Sequence, residues 1–333
     1  MTQKILITGI TGFVGSHMAD YILNLGNKKN KIFGIKRYHL SRLDKVQHFF
    51  NKIIWCDCNL TDPISTEKVI DKIKPDKIFH FAAESFVSPS WDHPNQYMRV
   101  NYNATLNILE ALRKIKSKAR ILIPGSGEEY GELKKSDMPI TKDTVLKPVN
   151  PYAVSKIAQD LISYVYFKSY GINTIRCRTF NHEGPRRENV FGISSYAYQI
   201  AKIEAGLQKP KILVGYLKDQ RNFTHVKDIV EAYWLAAKRC HPGELYLIGN
   251  NSVDSIFTFK QALEKLKKLS KIKNLKHQEH KPFVRYTNVP FLIADTTEFN
   301  NLCRWKPKIS FDQILQETLN YWRGRIKKDN NVK

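Results

Sequence analysis

Tyr152-Ala153-Val154-Ser155-Lys156 places a phenol and an ammonium four residues apart. On a helix that spacing puts both on one face. The lysine charge can lower the tyrosine pKa, so the phenol can exchange a proton with a hydroxyl. The same lysine can hold a ribose. Such a pair is common on surface helices, and its meaning here comes from two other signals. Ser126 directly follows an apolar run and could share the same hydroxyl. Thr8-Gly9-Ile10-Thr11-Gly12-Phe13-Val14-Gly15 carries glycines with G-x-x-G-x-x-G spacing near the chain start. The early glycines let the backbone turn sharply and approach a pyrophosphate. The last lets a helix pack tightly on a sheet, with its N-terminus toward the phosphates. Together these residues suit hydride and proton chemistry on a hydroxyl-bearing substrate.

The end of the expected second strand bears on the cofactor's ribose. A carboxylate there would bind a free 2′-hydroxyl and favour NAD. The residues are Gly34-Ile35-Lys36-Arg37, with no acid. Lys36 and Arg37, and Arg42 further on, could meet a 2′-phosphate. NADP is therefore expected, with NAD as the alternative.

These residues need a frame that brings them together. Residues 4–8 form a short apolar run before the glycine turn and read as a buried strand. Residues 13–25 follow as a helix with Val14, Met18, Ile22 and Leu25 on one face. Further strands are expected at 31–35, 52–55, 77–81, 119–124 and 173–178. Helices are expected from the turn at 59–62 to residue 73, and at 102–115 and 152–170. This alternation predicts an α/β fold, a Rossmann-type doubly wound parallel sheet with helices on both faces. After residue 181 the alternation loosens, with helices at 259–269 and 311–323. Residues 1–181 are expected to form the NAD(P)-binding domain, with 217–248 returning to it. Residues 182–216 and 249–333 are expected to form a smaller α/β substrate-binding lobe. Residues 327–333 are expected to fray.

The bulk numbers exclude several classes. The chain has 333 residues, 42% hydrophobic and 26% charged, as an ordinary globular protein does. No apolar stretch is long enough to span a membrane, and the N-terminus does not read as a signal peptide. Five scattered cysteines fit reduced thiols in a cytoplasm. Cys56 and Cys58 read as buried rather than metal-binding, and His277 and His280 as part of a polar loop; no metal is expected. The net charge of +23 is spread along the chain. It fits a lysine-rich composition and phosphate-bearing ligands better than a nucleic-acid stripe.

The chain resembles the extended branch of the short-chain dehydrogenases/reductases. The resemblance runs through the glycine turn, residues 80–85 (HFAAES), 125–131 (GSGEEYG) and 150–156 (NPYAVSK). Residues 178–187 (RTFNHEGPRR), 221–228 (RNFTHVKD) and 305–307 (WKP) narrow it. They resemble the GDP-mannose 4,6-dehydratases and the GDP-4-keto-6-deoxymannose reductases. The resemblance implies that Tyr152 is the active-site base, with Lys156 beside it and Ser126 on the sugar hydroxyl. Glu128 would remove the proton next to a transient ketone. Gly9, Thr11, Gly12, Phe13, Val14, Gly15, Lys36, Arg37, Asn59, Leu60, Phe81, Ala82, Ala83, Ser85, His182 and Arg187 would hold the cofactor with Tyr152 and Lys156. Ser85, Ser126, Glu128, Asn181, Arg221 and Arg285 would contact the substrate, the two arginines at its diphosphate. The implied partner is a GDP-sugar, with neither nucleic acid nor membrane involved. Helix faces at 104–115 and 157–166 would build a homodimer or homotetramer.

Four residues depart from the pattern. Gly127 replaces an acidic or hydroxyl side chain that assists water loss in related dehydratases. Asn59 replaces an adenine-contacting Asp, Ala104 a helix glycine, and Asn288 a frequent Glu. Three activities are open to this chain. It can be a dehydratase that oxidises position 4, loses water and returns hydride at position 6. It can be an NAD(P)H-dependent 4-ketone reductase, or, less in keeping with the motifs, a 4-epimerase. A binding-only protein of this fold is the reading outside enzymology.

Overall fold

The computed structural model describes residues 2–27 and 29–330. β1 (Gln3–Thr8) leads through the glycine turn into α1 (Phe13–Asn24). β2 (Asn30–Lys36) and β3 (Ile54–Asp57) precede α2 (Pro63–Ile73) and β4 (Lys77–His80). α3 (Pro94–Tyr97) continues through a π-helical stretch, Met98–Asn103, into α4 (Ala104–Lys114). β5 (Arg120–Ser126), α5 (Pro151–Tyr170) and β6 (Asn173–Thr179) complete the regular alternation. The second part contains β7 (His182–Glu183), α6 (Gly192–Glu204), β8 (Lys211–Val214), β9 (Gln220–Asn222), β10 (Thr224–His225), α7 (Val226–Arg239) and β11 (Leu245–Ile248). β12 (Ile256–Thr258), α8 (Phe259–Leu269), β13 (Lys276–Glu279), β14 (Phe291–Leu292), α9 (Thr297–Cys303) and α10 (Phe311–Asn330) follow.

Seven strands form one parallel sheet in the order β11-β6-β5-β4-β1-β2-β3. This is the expected Rossmann-type α/β fold. Strand alternation sorts side chains to two cores. Ile5 and Ile7 of β1 pack with Met18 and Ile22 of α1 and Ile229 and Tyr233 of α7. Leu6 points the other way, to Ile70 of α2, Ile108 and Leu112 of α4 and Tyr166 of α5. A third core joins α6, α8 and α10 through Ile193, Leu263 and Leu315. Among the described residues, no helix is long and apolar enough to cross a membrane.

Local chemistry sets the element ends. Asp62 caps α2 by accepting from Ser65 N at 2.7 Å, with Pro63 at the first helical position. Asn150 caps α5 in the same way, accepting from Ala153 N at 2.8 Å. Gly171 ends that helix at φ +65°.

Several elements differ from expectation. The third strand lies at Ile54–Asp57 rather than 52–55, because a 3₁₀ turn occupies Gln47–Lys52. Helical structure before α4 begins at Pro94, eight residues early, where no periodic apolar signal marks it. The stretch with His277 and His280 is not all loop: Lys276–Glu279 pairs in parallel with β8, its side chains exposed. α10 reaches Asn330 instead of stopping at 323. Of the terminal residues expected to fray, 331–333 lie outside the described residues. α7 and β11 sit with the seven-stranded sheet, whereas β9 pairs with β12 and β14 in a small mixed sheet.

His80 links sheet and helices at the end of β4. Its Nδ1 lies 2.8 Å from Thr8 Oγ1 and its Nε2 lies 2.9 Å from Thr105 Oγ1. Burial, then the Lys156 charge, pulls its pKa down to about 3. His17, buried on α1, is likewise pulled down to about 3, by burial first and then by the Arg186 charge. A histidine held neutral in the fold but free to protonate when unfolded stabilises above its unfolded pKa. That contribution is lost as pH falls from about 6.5 toward the folded value. Stability is therefore expected to fall on acidification from pH 6.5 to 4, each histidine contributing up to about 1.4 kcal/mol per pH unit. Urea denaturation at several pH values checks this. His80→Gln should flatten the slope, and an unchanged slope would remove His80 from the account.

Candidate active site

The strand order reverses between β1 and β4, and a crevice opens at the carboxyl ends of such strands. Two adjoining cavities lie there, of about 660 Å³ and about 260 Å³. Gly9, Gly12, Phe81 and Ala83 border both. The larger is also lined by Thr11, Lys36, Arg37, Asn59, Leu60 and Ala82. Phe13, Val14, Gly15, Ser85, Ser126, Glu128, Tyr152, Lys156, Asn181, His182, Arg187 and Arg285 line the smaller. Arg221 lines neither. It is 2% exposed, donates to the Gln220 carbonyl at 2.8 Å and lies 3.6 Å from Asp219.

The glycine turn fits a dinucleotide. Gly9 has φ +63°, and a Cβ there would lie 2.6 Å from Ala82 N. A Cβ on Gly15 would lie 2.3 Å from the Gly9 carbonyl oxygen, so only glycine lets α1 start this close to β1. Gly12 caps α1 without a side chain, and the first turn carries no acid. Its amides and dipole are thus left for an anion, and Phe13 and Val14 of that turn line the cavity. At the ribose end the structure adds a residue the sequence reading missed. β2 and β3 run in register with Lys36 beside Asp57, and the Lys36 ammonium is paired with that carboxylate. Looking only along the second strand hides an acid that its neighbour supplies.

Tyr152 and Lys156 lie on α5, as the four-residue spacing requires. Burial pushes the Tyr152 phenol up to about 12, against a hydrogen bond from Ser126 and the Arg187 charge. Burial pulls Lys156 down to about 8, against the carboxylates of Glu129 and Asp160. The Lys156 ammonium donates to Gln159 Oε1. The Arg187 guanidinium is one cation that lowers the phenol against this burial. Arg187 lies over the rings of Phe191 at 3.6 Å and Phe13 at 5.0 Å, and its buried Nε has no partner among the described residues. His182 stacks on Phe13 and bonds the Phe180 carbonyl at 2.9 Å through Nδ1. Burial and then Arg187 hold it down at about 4.

Ser126 caps a short 3₁₀ turn, Gly127–Tyr130, its Oγ accepting from Glu128 N at 3.2 Å. Glu128 accepts from Asn150 Nδ2 at 3.2 Å and pairs with Arg285 Nη1 at 3.3 Å. Arg285, expected at a diphosphate, therefore reaches the carboxylate here. A Cβ on Gly127 would lie 3.1 Å from the Phe180 ring. Beneath the turn, Glu129 accepts from Ser126 N at 2.6 Å and from Arg178 Nε at 2.7 Å. Arg178 Nη2 donates to Asp160 of α5 at 2.8 Å, and Arg176 Nε reaches the same carboxylate at 2.6 Å. Sequence reasoning missed this network. Its signal is two arginines, Arg176 and Arg178, inside an otherwise buried strand.

The fold and crevice define an NAD(P)-dependent enzyme of the extended short-chain dehydrogenase/reductase class that modifies nucleotide sugars. Within that class the chain belongs to the GDP-mannose 4,6 dehydratase family, whose model matches residues 6–318. It is 26% identical to a GDP-6-deoxy-D-mannose reductase of Pseudomonas aeruginosa, over 99% of this chain and 100% of that protein. It is 31% identical to a GDP-mannose 4,6-dehydratase of Vibrio cholerae, over 74% of this chain and 68% of that one. A solved structure of RMD from Pseudomonas aeruginosa complexed with NADPH superposes with a TM-score of 0.82 at 26% identity. That match covers 97% of this chain and 100% of the other.

Removing the cation of the buried network should cost the fold heavily. Arg178→Met leaves Glu129, 0% exposed, without its guanidinium partner. Destabilisation of about 3–5 kcal/mol is expected, read from the urea midpoint. A loss below about 1 kcal/mol would mean the network is not a structural anchor.

Proposed function

We propose that this chain modifies the hexose of a GDP-sugar, as a 4,6-dehydratase working with NADP, or NAD in its place. The observation that carries this reading is Glu128 sharing one cavity with Ser126, Tyr152 and Lys156. A bound nicotinamide supplies hydride acceptance from the sugar and its return. The residues along the glycine turn and at the ends of β2 and β3 would hold it. Tyr152 takes the proton from the sugar 4-hydroxyl while Ser126 bonds the same oxygen. With a ketone at position 4, Glu128 removes the proton at position 5. That electron pair forms the 5,6 double bond as the bond to the 6-hydroxyl breaks. The hydroxyl leaves as water with the proton Glu128 has taken, and hydride return to carbon 6 is matched by a proton to carbon 5 that balances the one Tyr152 took. Gly127 offers no acid, so the same carboxylate serves both steps. Arg285 and Arg221 hold the diphosphate and Asn181 the sugar.

A specific observation favours a second reading, the 4-ketone reductase. Phe180 fills the space where a side chain on Gly127 would assist water loss. Reduction needs only Tyr152 as proton donor, and Glu128 then supports substrate contacts. The two readings part on one experiment: incubation with GDP-mannose without added cofactor, followed by mass spectrometry. Loss of water is the expected result, and Glu128→Gln should slow it roughly 10²–10⁴-fold. An unchanged mass, with NADPH consumed once the 4-keto-6-deoxy sugar nucleotide is added, would make the reductase the activity.

We also propose a homodimer through α4 and α5. Val154, Leu161 and Val165 follow helical spacing on α5 and are 48%, 49% and 46% exposed. The double variant Leu161→Asp with Val165→Asp should run as a monomer in light scattering, where the parent runs as a dimer. A monomeric parent would overturn the proposal.

A further inference from the structure

The ribose end of the larger cavity holds an ion pair that the dinucleotide must meet. Lys36 ends β2 and Asp57 ends β3, side by side in the parallel register. Both line the 660 Å³ cavity. The Lys36 side chain is 19% exposed and that of Asp57 is 48% exposed, so the carboxylate is the more open partner. Lys36 also lies over the Tyr38 ring at 5.9 Å, which limits where its ammonium can go. Glu84 is the other acid lining this cavity. It follows Ala83, which borders both cavities, so it belongs to the junction and not to the ends of β2 and β3.

We propose that Asp57, reaching in from the third strand, sets this chain's discrimination between NADP and NAD. The assignment rests on the dinucleotide reading of the cavity. It acts through two effects of the same sign. Lys36 contacts one carboxylate oxygen, Oδ1. A carboxylate has acceptor sites on both oxygens, so the other can accept a ribose 2′-hydroxyl. A 2′-phosphate has no proton to offer there, and its negative charge stands against Asp57. Lys36 is meanwhile already engaged, so its charge is not wholly available to a phosphate. Arg37 is exposed at the rim and remains as the second cation. The two basic residues at the end of β2 therefore favour NADP less than their charge suggests, and the cavity takes both dinucleotides.

The test is direct binding. The purified chain is titrated with NADPH and with NADH, followed by nicotinamide fluorescence, with no sugar nucleotide present. Asp57→Asn keeps the shape and removes the charge. The ratio of the NADH to the NADPH dissociation constant should rise at least about tenfold. NADPH should bind more tightly and NADH more weakly. Adding Lys36→Met to that variant should reverse the gain for NADPH and leave NADH unaltered. A ratio within about twofold of the parent in Asp57→Asn would overturn the role of Asp57 while leaving the dinucleotide site standing. Failure of the parent to bind either dinucleotide would overturn the reading of the cavity, and the assignment with it.

Discussion

Arg178 carries a guanidinium into the interior of the molecule, and the active-site geometry hangs on where it ends. One side meets Glu129, which fixes the backbone of Ser126. The other meets Asp160, one turn beyond Lys156 on α5. The end of β5 and the helix bearing Tyr152 are thereby tied to one cation on β6. Buried charges are costly unless fully paired. Here Arg176 and Tyr130 complete the set, Arg176 on Asp160 and Tyr130 accepting from Arg178 at 3.1 Å. Such a network is a rigid spacer between two catalytic elements rather than a source of stability. It also explains Gly125: a Cβ there would meet Glu129 Oε1 at 2.4 Å.

A second polar chain runs from the cofactor turn to the same helix. Thr8 at the end of β1 accepts from Ala82 N and bonds His80, which bonds Thr105. Gln159 donates to Thr105 and accepts from Lys156. Apart from the half-buried bond from Ala82, the links are buried, where polar groups need partners. The glycine turn and the lysine are therefore positioned through one continuous set of bonds. The two cavities meet where that chain passes, at Gly9 and Phe81.

The parts legible in the sequence are those written within a short stretch. The glycine turn, the Tyr152–Lys156 pair and the strand–helix alternation each depend on local spacing, which one chain segment carries whole. The Asp57–Lys36 pair depends on which strands lie side by side, a property of the sheet. The Glu129–Arg178–Asp160 network joins three elements that no local period connects. Arg285 is the same lesson in another form. Its type suits a phosphate, but the free protein offers it Glu128 first, and only the fold decides that meeting. The helices α6 (Gly192–Glu204) and α7 (Val226–Arg239) were also missed, although Gly192 opens α6 and Gly206 and Pro242-Gly243 follow the two helices.

The electrostatics of the site bear on which direction of chemistry it is prepared for. Burial drives Tyr152 and Lys156 toward their neutral forms, the phenol up to about 12 and the amine down to about 8. A phenol held so high is a proton donor, as reduction of a ketone needs. To act as a base on a hydroxyl it must first lose its proton, and burial opposes the resulting charge. Ser126 and Arg187 pull the other way, and any positive charge brought in by a ligand adds to them. Glu128 stands outside this pair, fixed by Asn150 and Arg285. Diphosphate oxygens compete for Arg285 with the carboxylate, since both are bidentate partners for a guanidinium. A ligand that draws Arg285 away leaves Glu128 with the Asn150 amide alone. In the proposed dehydratase reaction, Glu128 would then be freed as the base by the nucleotide part of the same substrate whose sugar it deprotonates.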